Sequence, residues 1–147
     1  EEIESEYDAI FIGVGLGPDS QMNIPGEDLT NCFGALEVIE KLKLGIFDIS
    51  DYQHAIIVGG GNTALDAVRE LKAIGVPRVT MVYRRTEAEM SGYKHELDYA
   101  KKESVELSVL TQPTAVLGED KVTGLRCVKM QLTEPDDSGR RRPVPVE

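Results

Sequence analysis

This sequence contains no tryptophan, only five tyrosines and three phenylalanines, and two cysteines in 147 residues. An aliphatic core is therefore expected. Cys32 and Cys127 are far apart and stand in no CxxC or metal-ligand spacing. That removes a redox dithiol and leaves two small side chains expected to be buried. No apolar run approaches the ~20 residues of a membrane span. The start, Glu1-Glu2-Ile3-Glu4-Ser5-Glu6, is acidic where a secretory leader would be basic and then apolar. A cytoplasmic protein without membrane association is expected. No acid/base pair, Ser/His/Asp set or metal cluster is apparent, so neither catalytic nor metal-ligating residues are assigned. Internal repeats and low-complexity segments are also missing. The length fits one domain.

The formal net charge is −10, unevenly spread. Residues 1–53 carry twelve acids and two bases, residues 54–103 seven acids and eight bases, and residues 104–147 seven acids and six bases. The acidic first third excludes a nucleic-acid partner. The near-neutral middle is the part that can receive an anion.

Along the chain, residues 7–15 (Tyr7-Asp8-Ala9-Ile10-Phe11-Ile12-Gly13-Val14-Gly15) read as a buried strand. Gly13, Gly15 and Pro18 almost spell a dinucleotide fingerprint, but proline replaces the third glycine and no amphipathic helix opens after it. Asn31 is the expected cap of a helix over residues 34–44, stopped by Gly45. Residues 18–53 read as a crossover. Residues 55–58 read as a parallel strand covered on both faces. From Asn62 a helix follows, with Ala64, Ala67, Val68, Leu71 and Ile74 on one face and a stop at Gly75 and Pro77. A second strand covers residues 79–83. Residues 86–92 read as a polar loop, 93–103 as a helix with Leu97 and Ala100 inward, and 105–111 as a strand. Two antiparallel strands, 114–117 and 125–132, and a polar turn with Arg140-Arg141-Arg142 complete the chain.

The chemistry centres on Gly59-Gly60-Gly61-Asn62-Thr63-Ala64. Gly59, Gly61 and Ala64 match GxGxxA. The first glycine permits the tight turn off the strand, the second lets backbone approach a pyrophosphate, and the alanine lets helix and strand lie close. Free N–H groups and the positive end of the helix from Asn62 then face the phosphates. At the end of the next strand an NAD site places Asp or Glu against the ribose. Here stand Tyr83, Arg84 and Arg85. Guanidinium pairs with a 2′-phosphate through charge-assisted bonds, so the pair specifies NADP(H) over NAD(H). Asp66 reads as a first-turn dipole partner. His95, Glu96 and the basic triplet read as surface groups. His54 has no partner visible in the sequence. A cofactor site without protein-borne catalysis suits hydride transfer.

Together, Gly59-Gly60-Gly61-Asn62-Thr63-Ala64-Leu65-Asp66, Val82-Tyr83-Arg84-Arg85, Thr111-Gln112-Pro113 and Val122-Thr123-Gly124-Leu125-Arg126-Cys127 resemble the NADPH-binding domain of the glutamate synthase small (beta) subunit family, from about residue 7 to 143. The chain is also similar to the related regions of dihydropyrimidine dehydrogenase and flavin-based ferredoxin:NADP reductases. The resemblance implies an α/β, Rossmann-like NAD(P) domain, a parallel sheet with helices plus a small antiparallel meander. In the family this domain is inserted into an FAD domain. Residues 1–30 are then a segment of the FAD domain and crossover, and residues 31–147 the NADP(H)-binding domain. Gly59, Gly60, Gly61, Asn62, Thr63 and Ala64 match the family's pyrophosphate loop, and Arg84 and Arg85 its 2′-phosphate arginines. The FAD motifs and iron–sulfur cysteines lie outside this segment, so FAD and iron–sulfur clusters are expected in the full-length protein only. The fragment alone should bind without turning over. The implied partners are the FAD domain of the same polypeptide and a glutamate synthase large subunit or other electron-accepting subunit. Alternatives are a sulfide dehydrogenase or ferredoxin:NADP oxidoreductase-type subunit, or a non-catalytic NADPH-binding or subunit-contact module.

Overall fold

The computed structural model describes residues 2–13, 17 and 19–146. In chain order its elements are α1 (Glu2–Glu6), α2 (Ala35–Lys43), β1 (His54–Val58), α3 (Asn62–Ala73) and β2 (Arg78–Val82). A 3-10 turn (Glu87–Glu89), α4 (Lys94–Lys102), β3 (Glu106–Ser108), β4 (Thr111–Gly118), β5 (Val122–Leu132) and β6 (Pro143–Pro145) follow. Among the described residues no helix is long and apolar enough to cross a membrane.

Two sheets result. The first is parallel, in the order β1-β2-β3. Val58 lies opposite Val82, and Thr80 opposite Glu106. Its inner face contributes Ile57, Val79 and Met81 to the core. Ala64, Leu65, Val68 and Leu71 of α3 and Leu97 and Ala100 of α4 close over them. Met81 is 0% exposed; burying such a side chain contributes about 1.5–3 kcal/mol. The apolar spacing of α3 produces this packing, although Ile74 at its end stays largely exposed. At the base of the sheet, His54 Nε2 lies 2.8 Å from Thr80 Oγ1, the partner that the sequence does not reveal.

The second sheet is antiparallel, in the order β4-β5-β6. The chain changes sheet at Leu110, whose φ is +48°. This kink ends β3 after three residues, where a longer strand is expected from the alternation of residues 105–111. In β4, Pro113 faces Cys127 and Ala115 faces Arg126, so Thr114 is bulged out. Proline lacks the N–H that would continue the ladder. Both cysteines are free and half-buried rather than buried.

The tip between β5 and β6 is organised by Asp136. Its Oδ1 accepts bonds from Ser138 Oγ at 2.6 Å, Ser138 N at 3.0 Å and Arg140 N at 3.1 Å. These bonds, the Ser138 hydroxyl first, pull the carboxyl down to about 2. The folded value lies below the unfolded one, near ~3.9. The stabilisation is therefore complete above that value and lost as pH falls through about 2. A carbon-detected NMR titration of Asp136 should show a midpoint near 2, with the turn amides shifting together. A midpoint near ~4 would contradict this bonding pattern.

Further expectations need correction. Residues 55–58 form a parallel strand that is not covered on both faces: Ile57 is buried, but Ile56 is 39% and Val58 38% exposed. Residues 7–13 form no strand: Phe11 is 94% and Ile12 77% exposed. A strand needs a neighbouring strand, and none is provided here. The rest of that expected strand and the glycine–proline turn, residues 14–16 and 18, lie outside the described residues. Asn31 does not cap α2. The N-cap is Gly34, and Asp19 Oδ2 accepts the bond from Leu36 N at 2.9 Å. Asn31, at φ +73°, instead accepts a bond from Tyr52 Oη. Finally, Asp66 is the fifth residue of α3 and falls beyond its first turn, which carries no acid.

Candidate functional site

The parallel register brings the glycine loop and the arginine pair to one end of the sheet. Val58 pairs with Val82, so the glycines that follow β1 and the arginines that follow β2 leave neighbouring strands at the same level. Strands in a sheet are ~4.8 Å apart. Gly59 N donates to Val82 O at 3.0 Å, binding the start of the turn to β2. Gly59 has φ +138°, a conformation that side chains other than glycine's rarely adopt. A Cβ on Gly59 would lie 3.4 Å from Ala64 Cβ, the contact that keeps strand and helix close.

Gly60 and Gly61 differ. A Cβ on Gly60 would sit 2.9 Å from Met90 Cγ and from the Tyr83 ring. The Tyr83 hydroxyl is tied to Glu89 O at 2.9 Å, so that ring is not free to move aside. Gly60 therefore does the close packing. Gly61 has ordinary dihedrals as N-cap of α3, and its missing Cβ would meet nothing nearer than Ser91 Oγ at 3.6 Å. The backbone is thus open on the side where the helix begins.

Among the described residues no anion is seated at the start of α3. No side chain caps it and its first turn holds no acid. By contrast, α2 receives the Asp19 carboxylate, and Thr86 with Glu89 forms a capping box on the 3-10 turn. Asn62 is oriented by Tyr93, whose N–H donates to Asn62 Oδ1 at 3.0 Å. Among the described residues the Asn62 Nδ2 group has no partner and remains a donor at the helix start. Thr63 and Ala64 follow it in the first turn, Ala64 buried.

Arg84 is exposed and Arg85 half-buried. Their backbone is clamped on both sides: Thr111 N donates to Tyr83 O at 3.0 Å and Leu110 N to Arg85 O at 2.9 Å. Neither arginine pairs with a carboxylate among the described residues. Arg85 Nε is buried with no hydrogen-bond partner. Leaving such a charged donor unmet costs more than ~1–3 kcal/mol. The terminal nitrogens of Arg85 are not so enclosed, and they are the atoms an anion can reach. Uncapped helix start, open Gly61 backbone and unpaired guanidiniums together fit a phosphorylated dinucleotide.

The sequence reading missed the loop that returns over the glycines. Gly92 N donates to Gly60 O at 3.0 Å, and Ser91 comes beside Gly61. Thr86-x-x-Glu89 is a legible capping-box signature, but what its turn packs against is a long-range fact. Glu96 forms an ion pair with Arg69 at 3.6 Å, and His95 stacks on Tyr93. His95 is exposed, as a surface group should be, whereas Glu96 is half-buried.

Known proteins are similar to this chain over nearly its whole length. The chain is 39% identical over 155 residues to the glutamate synthase [NADPH] small chain of Halomonas elongata, covering 99% of this chain and 33% of that one. It is 38% identical over 149 residues to the NADP(+)-dependent formate dehydrogenase subunit beta of Moorella thermoacetica, covering 99% of this chain and 21% of that one. The chain thus spans a fifth to a third of these relatives. Its fold matches Mycobacterium tuberculosis FprA in complex with NADPH, with a TM-score of 0.75 at 20% identity over 98% of this chain and 47% of that one. Residues 1–138 match the pyridine nucleotide-disulphide oxidoreductase family, and the chain belongs to that family.

Proposed function

We propose that residues 31–147 bind NADP(H) and present it to a flavin carried by the same polypeptide. Residues 1–30 then belong to the flavin domain and the crossover. The N–H groups of Asn62, Thr63 and Ala64 and the Asn62 amide meet the pyrophosphate. Gly59 makes the turn, Gly60 holds it against Tyr83, and Gly61 leaves room for the phosphate. Arg84 and Arg85 hold the 2′-phosphate. The observation that carries this reading is an uncapped helix start following one strand and, at the end of the neighbouring strand, two arginines with no carboxylate partner among the described residues. Bound NADPH supplies the hydride; the residues here bind, orient and select it.

Electrons then leave through iron–sulfur centres to a partner subunit, by resemblance the glutamate synthase large subunit. Near-equal identity to a glutamate synthase chain and a formate dehydrogenase chain supports a domain that delivers electrons without choosing their destination. A cytoplasmic setting fits two free cysteines.

Anaerobic stopped-flow on the complete flavoprotein tests the proposal. NADPH should bleach the flavin with a saturable rate, and NADH should need far higher concentrations. Equal flavin reduction by both, or by neither, would sink it.

A further inference from the structure

We propose that Arg141 is a third cationic contact for the 2′-phosphate, brought to the arginine pair by the β5–β6 hairpin. This rests on the NADP(H) reading above. The basic triplet Arg140-Arg141-Arg142 has no role in that reading, yet the backbone leads from the site to it. Leu110 N donates to Arg85 O at 2.9 Å, and Met130 N donates to Leu110 O at 2.8 Å. Strand β5 therefore passes beside Arg85 at Met130. Three residues on, at ~3.3 Å per residue, the chain reaches Thr133, where the hairpin closes. Thr133 N donates to Arg142 O at 2.9 Å, and Arg142 N to Thr133 Oγ1 at 3.1 Å. Arg141 Nε donates to Thr133 O at 3.2 Å. That bond fixes the base of the guanidinium and leaves its outer nitrogens free.

The charge of Arg141 is felt in the segment that follows the arginine pair. Glu89, in the 3-10 turn, has its carboxyl lowered first by the Thr86 hydroxyl bond and, among further causes, by the charge of Arg141. Glu87 is paired with Lys101, and Arg142 with Asp136 at 3.6 Å. Arg84, Arg85 and Arg141 have no carboxylate within ion-pair distance among the described residues. A phosphate monoester, which carries about −1.5 to −2 at neutral pH, is an anion that guanidinium groups bind through charge-assisted bonds.

The competing account is that Arg141 only tethers the hairpin to Glu89. Calorimetry on the full-length polypeptide separates the two, using NADPH, NADH and 2′,5′-ADP as ligands. Arg141→Gln should weaken NADPH and 2′,5′-ADP about three- to tenfold and leave NADH unchanged. The loss should shrink at high salt, and Arg141→Lys should restore part of the affinity. Equal weakening of NADPH and NADH would assign the tether and overturn the proposal. So would unchanged NADPH affinity in Arg141→Gln while the unsubstituted protein still prefers NADPH. If the unsubstituted protein itself shows no such preference, the parent reading fails, and this one with it.

Discussion

Combining Arg84→Glu with Arg85→Ala should weaken NADPH by at least roughly a hundredfold while changing NADH little, because each charge-assisted bond contributes ~1.5–3 kcal/mol and two are lost while repulsion is added. The two ligands differ only at the 2′-phosphate, so the ratio isolates that contact. The fold should tolerate the change. Arg85 is held through its backbone carbonyl, bonded to Leu110 N, which alanine retains. Its Nε makes no internal bond to lose. Arg84 is exposed. Thermal unfolding of the variant should stay close to that of the unsubstituted protein. A large drop in melting temperature, with both ligands weakened alike, would show that these arginines hold the fold instead.

Gly61→Val and Gly60→Val should fail in opposite ways, although the positions are adjacent. At Gly61 the dihedrals suit any residue and the nearest atom to a new Cβ is Ser91 Oγ at 3.6 Å. Valine fits the fold but fills the space a phosphate needs. Losing two such contacts, ~3 kcal/mol, lowers affinity for NADPH and NADH alike by about a hundredfold, with stability nearly intact. At Gly60 the first added carbon already meets Met90 and the Tyr83 ring at 2.9 Å. Forcing a branched side chain into that packing costs about 1–3 kcal/mol or more. Gly60→Val should therefore lose melting temperature first and ligand affinity as a consequence. Paired melting and binding measurements distinguish the two. If Gly61→Val binds normally, the phosphate does not lie where proposed.

The β1-α3-β2 unit was legible because its signals are local. Four consecutive apolar residues, a glycine turn, a 3.6-residue apolar period and a glycine–proline stop all point the same way. The helix start at Asn62 is where the sequence put it. What failed depends on partners that sequence spacing does not specify. Residues 7–13 have a strand's composition but no strand to pair with. The cap of α2 comes from Asp19, far back in the chain, rather than from nearby Asn31. Strand β6 is short and bounded by prolines, and it exists because the Leu132 side of β5 offers an edge to it. At the site, the positions of the glycines and arginines could be read in advance. The division of labour between Gly60 and Gly61 could not, since it depends on Tyr83 and Met90 folding over one of them.

Side-by-side calorimetric titration of the protein with NADPH and NADH tests the central claim most directly. The account predicts saturable binding of NADPH, with NADH weaker by at least about tenfold, equivalent to one charge-assisted contact. Equal affinity for the two, or no binding of either, would contradict it.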